Sequence, residues 1–200
     1  MNSLTPPGLL RRSHTKVQIP WSPPVEGFGM RSKVRKEAEK DAQRLAKATL
    51  RHGSPVELFG MAEPLGIQVR ETKLDRDTLG ALFMEPGADP RIVLNRRHSF
   101  LRRRLGCALE MGHFVRMSAK TGEYKRVDLC DGSEEVGGES NNEYAREFAG
   151  SLLMPKEDVE ILADLKMDDL EMALRFLVPR DAMQIRLASL GMPGLDLEAA

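Results

Sequence analysis

The sequence predicts an α+β fold in which helices pack around a small three-stranded, mainly antiparallel sheet, with a further helical segment behind it. Three observations predict this. Residues 31–52 carry apolar side chains at helical spacing, and three short β-patterned runs follow at 67–71, 79–85 and 91–95. Residues 99–117 are then apolar on most sides, as a helix buried in the middle of a domain must be.

A chain of 200 residues, 41% hydrophobic and 30% charged, is long enough for one good core with appendages. Its formal net charge is zero, so the molecule as a whole presents no strong field toward nucleic acid or membrane. The charge is unevenly placed, with Lys and Arg dominating from Arg31 to Arg104 and Asp and Glu after Glu123. Cys107 and Cys130 are too few for a disulfide framework, and no C-x-x-C spacing is present. No apolar stretch resembles a signal peptide or a membrane span, so a reducing cytoplasm is the expected setting.

Residues 1–30 hold five prolines and no sustained period, which predicts an extended or disordered arm carrying the lone Trp21. In the first helix Val34, Ala38, Ala42, Leu45, Ala46, Thr49 and Leu50 line one face, Lys and Arg the other, and Gly53 is a natural stop. Ser54-Pro55-Val56-Glu57 reads as a capping box with proline at the first helical position, so a second short helix is expected to about Ala62. Gly87-Ala88-Asp89-Pro90 supplies a hairpin-like turn between the second and third strands. A Gly-rich connection from Thr121 to Ser140 leads to a helix over 141–154, whose Tyr144, Ala145, Phe148, Ala149, Leu152 and Leu153 share a packing face before Pro155 ends it. Three short amphipathic segments follow at 156–165, 168–177 and 179–190. The expected division is therefore arm 1–30, domain 31–155 and C-terminal helical extension 156–200.

The central helix carries Leu109-Glu110-Met111-Gly112-His113, one residue short of the H-E-x-x-H motif in which two imidazoles one turn apart hold zinc and the glutamate serves as general base. Glu110 and His113 hold the base and second-imidazole positions, and Leu109 has no lone pair to offer a metal. Together with RIVLN at 91–95, Arg104 to Phe114, and Tyr144-Ala145-Arg146-Glu147-Phe148-Ala149-Gly150-Ser151-Leu152-Leu153-Met154-Pro155, this resembles the ImmA/IrrE family of metallo-endopeptidases over about residues 54–192.

The resemblance implies a zincin-like fold and a cytoplasmic zinc endopeptidase that cleaves a helix-turn-helix repressor, often in phage, mobile-element or stress-response settings. It also implies a third ligand, a glutamate, at the position of Asn142, and an Asn or Asp companion at Arg146. Neither residue matches. The expectation is thus a pseudopeptidase with a degenerate zinc site and no cofactor. It would act by protein binding as an antirepressor, immunity factor or regulatory subunit toward a helix-turn-helix repressor. Glu110 and His113 would be vestigial base and ligand, Leu109 and Asn142 mark the lost ligand positions, and Arg146, Tyr144 and Arg104 are candidate binding residues.

Two alternatives stand beside it. One is an active zinc endopeptidase with remodelled ligands, His113 joined by Cys130, Asp128 or Glu143. The other is a DNA-associated module using the basic first helix and the last segment, which resembles the recognition half of a helix-turn-helix with Arg180, Gln184 and Arg186 as base contacts.

Overall fold

The computed structural model describes residues 30–49, 55–85, 87–118, 126–130 and 139–192. The expected arm and Trp21, the Gly53 stop and Ser54 lie outside the described residues, as do the side chains of Asp128 and Cys130. Helix α1 (Met30–Thr49) buries Val34, Ala38, Ala42 and Leu45, the stripe read from its sequence. Helix α2 (Leu58–Ala62) begins later than expected, because Glu57 is itself the N-cap. Its carboxylate accepts the Gly60 N–H at 2.7 Å, which leaves Pro55 and Val56 outside the helix. A short 3-10 turn, Glu63–Leu65, follows and closes on Gly66 at φ 71°, a left-handed conformation in which a Cβ would be strained.

The sheet has strands β1 (Gln68–Thr72), β2 (Gly80–Met84), β3 (Arg91–Asn95) and β4 (Arg126–Cys130) in the order β1-β3-β2-β4. The α+β class and the three expected strands hold, and the β2–β3 hairpin turns where Gly87 at φ 76° allows it. Two features extend the expectation. β1 runs parallel to β3, and β4 emerges from the stretch read as a Gly-rich connection, pairing antiparallel with β2. That stretch lacks the length and β-branched run that mark a strand locally, so its extended form rests on the hydrogen bonds β2 offers.

Asn95 ends β3 fully buried, and all its amide groups are engaged. Its Nδ2 donates to the Asp75 and Thr78 carbonyls at 2.7 and 2.8 Å, while its Oδ1 accepts from the Leu74 and Arg97 N–H groups at 3.2 Å. One side chain thereby ties the β1–β2 connection to the entry of the next helix. That explains the asparagine at the end of RIVLN.

Helix α3 (Phe100–Ser118) buries every residue from Arg104 to His113. Helix α4 (Glu139–Leu153) packs against α3 and α1, with Ala145, Phe148, Ala149 and Leu152 all fully buried. The approach is closest at Gly112, where a Cβ would sit 2.9 Å from the Ala145 Cα and 3.1 Å from the Phe148 ring. Only glycine fits there. Tyr144 stacks on Phe148 with ring centroids 6.2 Å apart and donates its hydroxyl to Asp41 of α1 at 2.7 Å. Pro155, at φ −53° and ψ 138°, ends α4 as expected and opens α5 (Lys156–Asp164).

Helices α6 (Asp169–Phe176) and α7 (Arg180–Ser189) complete the chain, α6 starting on a full capping box between Asp168 and Glu171. Val159, Leu162, Met172, Phe176, Met183 and Leu187 from these three helices join the same buried cluster as the residues of α1, α3 and the sheet. No helix among the described residues is long and apolar enough to cross a membrane.

Candidate functional site

Leu109, Glu110 and His113 occupy the buried middle of α3, exposed by 7, 0 and 4% respectively. A helical rise carries Leu109 to the turn below His113, so the two share a face. Where the resemblance places an imidazole, the structure has a packed leucine side chain belonging to the hydrophobic core. Glu110 lies under the sheet: a Cβ on Gly80 of β2 would stand 3.6 Å from the Glu110 Cγ and 3.1 Å from the Val93 carbonyl oxygen. The missing side chain at Gly80 makes room for the glutamate. Cys107, three residues earlier on the same helix, is fully buried. Burial, then the negative charge of Glu110, pushes its thiol up to about 12, so it stays protonated near neutral pH.

Asn142 and Arg146 are half-buried on α4, one turn apart. Neither supplies a carboxylate. His98 precedes α3 and sets its Nε2 3.1 Å from the Thr78 carbonyl. About 15 residues of helical rise, roughly 20 Å, separate it from His113, so it is no substitute ligand. Among the described residues no group of three His, Cys, Asp or Glu side chains comes together in a way that could hold a metal ion. The zinc site that the sequence resemblance implies is therefore not matched by the donors described.

The remaining candidate residues are held inside the fold. Burial pushes the Tyr144 phenol up, its bond to Asp41 adds to the effect, and the Arg116 guanidinium caps its ring at 4.9 Å. Arg104 is 3% exposed, lies over the Phe100 ring and donates from Nε to the Leu177 carbonyl at 3.1 Å. It joins α3 to the turn between α6 and α7, where Leu177 adopts φ 53°. Beside β1, an edge of the sheet with four of its five residues exposed, runs an open groove of about 370 Å³ lined by Phe59, Glu63, Ile67, Val69 and Glu71.

The three side chains named as base contacts in the last segment are engaged within the fold, Arg186 buried and Arg180 and Gln184 exposed but paired. Arg180 forks onto Asp169 with Nε and Nη2 at 2.9 to 3.0 Å, and Gln184 donates to the same carboxylate at 2.6 Å. Arg186 is 4% exposed and bonds Glu147 at 2.8 Å and the Met154 carbonyl at 3.1 Å. A recognition helix needs these groups in a groove of DNA, and here they fasten α7 to α6 and α4. Sequence reasoning missed both clusters, because their partners lie on other helices and no spacing signals them.

The Asp169 clasp carries a pH signature. Bonds from Arg180 hold its carboxyl below the usual carboxylate range. A depressed folded value means the stabilisation is present above the unfolded pKa, near 4, and is lost as pH falls through the folded one. Unfolding midpoints measured from about pH 5 down to about pH 2 are therefore expected to fall more steeply for the native chain than for Asp169→Asn. Parallel profiles would mean the clasp contributes nothing through this group.

A family model described as the IrrE N-terminal-like domain, of the M78 peptidases, matches residues 62–188, from the last residue of α2 through almost all of α7. No curated protein matches the chain.

Proposed function

The chain belongs to the IrrE N-terminal-like family of M78 peptidases, and we propose that it works within that scaffold by binding a protein rather than by hydrolysing one. In this reading it is a pseudopeptidase with an antirepressor, immunity or regulatory role toward a helix-turn-helix repressor in the cytoplasm. The observation that carries it is Leu109, a packed core side chain one turn from His113 where metal chemistry needs a second imidazole. The amide of Asn142 and the guanidinium of Arg146 support it, since neither provides the distant carboxylate or its acidic or amide companion. Glu110 and His113 then persist as buried packing groups, with no bound water for the glutamate to deprotonate.

The experiment pairs the purified chain with helix-turn-helix regulators from its own genome and compares native protein with Glu110→Gln. A stable complex without cleavage by either protein is the expected result. A regulator fragment produced by the native chain and absent with Glu110→Gln, or about one zinc per chain in protein purified without chelator, would overturn the reading in favour of a remodelled zinc site using His113 with Glu143, Asp128 or Cys130. The DNA-associated alternative loses support because Arg180 and Gln184 are paired with Asp169, and Arg186 with Glu147.

A further inference from the structure

Four large aliphatic side chains stand out of α5, its C-terminal turn and α6. Ile161, Leu165, Leu170 and Leu174 are 58, 66, 47 and 59% exposed, while Val159, Leu162, Met172 and Phe176 on the other faces of the same helices are buried. The exposed residues form two i, i+4 pairs, so each helix turns its own apolar ridge outward in addition to the one it buries. The turn between them is closely held. Lys166 at φ 61° reverses the chain, the Met167 N–H bonds the Leu162 carbonyl at 3.1 Å, and Asp168 caps α6. Apolar exposure repeated on neighbouring turns marks an interaction surface more often than scattered single residues do.

Charge decides what kind of partner fits. Residues 156–176, from the start of α5 to the end of α6, hold seven carboxylates against Lys156, Lys166 and Arg175, a balance of −4 in a chain whose formal net charge is zero. Glu157, Asp158, Glu160, Asp164 and Glu171 are exposed on the same segment as the aliphatic residues, and Lys156 lies 3.7 Å from Glu160. Such a charge repels phosphate, which disfavours both nucleic acid and an anionic bilayer, and attracts Lys and Arg.

We propose that the α5–α6 face docks a cationic amphipathic helix of a partner protein, its apolar stripe on Ile161, Leu165, Leu170 and Leu174 and its basic flanks against the exposed carboxylates of the same segment. Helix-on-face recognition of this kind is read through anchors at i and i+4. The inference rests on the protein-binding reading above only in taking the partner to be a protein, and it adds the partner's chemistry and the surface it meets.

The test uses the full chain and two synthetic helical peptides of the same Leu spacing, one with Lys and one with Glu at the polar positions. The Leu–Lys peptide is expected to bind at least about tenfold more tightly than the Leu–Glu peptide, and Leu170→Ser with Leu174→Ser to weaken it by about tenfold or more at unchanged helix content. Equal binding by native and variant chains would overturn the proposal, as would sedimentation showing a native dimer that the variant dissolves, since the face would then belong to a second copy. A regulator that binds native and variant chains alike would sink this surface while sparing the proposed function. A peptide held by this face with no regulator bound would do the reverse.

Discussion

Zinc in excess is expected to raise the unfolding midpoint of the Leu109→His, Asn142→Glu chain and to leave that of the native chain where it stands. The two substitutions place an imidazole on the face that Leu109 shares with His113 and a carboxylate on the half-buried turn of α4 that precedes the close approach to α3. Two imidazoles, one carboxylate and an open position make up a catalytic-type zinc set. A ligand bound only by the folded state stabilises it by RT ln(1 + [L]/Kd), about 2.7 kcal/mol at a hundredfold excess over Kd and about 4 kcal/mol at a thousandfold. Differential scanning fluorimetry against zinc concentration, with Leu109→His alone as control, reads the effect. A zinc-dependent rise in the double variant that exceeds the single one locates the lost site. Identical curves for all three chains would mean that residues 109, 113 and 142 do not converge, and the motif register used above would have to be abandoned.

Glu147→Leu is expected to lower the unfolding free energy by about 3–5 kcal/mol, the range for removing one partner of a buried ion pair. Glu147 joins three helices. It accepts from Arg186 of α7 at 2.8 Å, from Arg35 of α1 at 3.1 Å, and from Ser151 on its own helix at 3.3 Å. Arg35 also donates to the Ser189 carbonyl at 3.2 Å, so α1 and the end of α7 meet over the same carboxylate. With its side chain 3% exposed, Arg186 would keep the Met154 carbonyl and lose the carboxylate it is paired with. Burial already pulls the Arg186 guanidinium below its ordinary range, opposed chiefly by Glu147. Replacing both residues, as Glu147→Leu with Arg186→Met, is expected to recover most of the loss, because well-packed apolar groups substitute for a buried pair at little net change. Urea unfolding measures both. A single-variant loss below about 1 kcal/mol would place the pair with exposed ion pairs of little consequence.

Periodicity and punctuation in the sequence determined most of the element map. The α1 stripe, the β2–β3 hairpin around Gly87, the long apolar α3, the arrest of α4 at Pro155 and the three amphipathic C-terminal segments all lie where local spacing puts them, since each depends on residues within a few turns of one another. The placing of Leu109 one turn from His113 on a shared face was legible for the same reason: an i, i+4 pair on one helix is a local fact. What only the tertiary structure decided is long-range pairing. It recruits 126–130 as a fourth strand on β2 and commits Arg180, Gln184 and Arg186 to carboxylates on other helices. It likewise leaves Ile161, Leu165, Leu170 and Leu174 outside while their helix neighbours are buried. An amphipathic pattern states that a helix has an apolar face, but which of two apolar ridges is covered depends on the helices that arrive beside it, and that is set by packing across the whole chain.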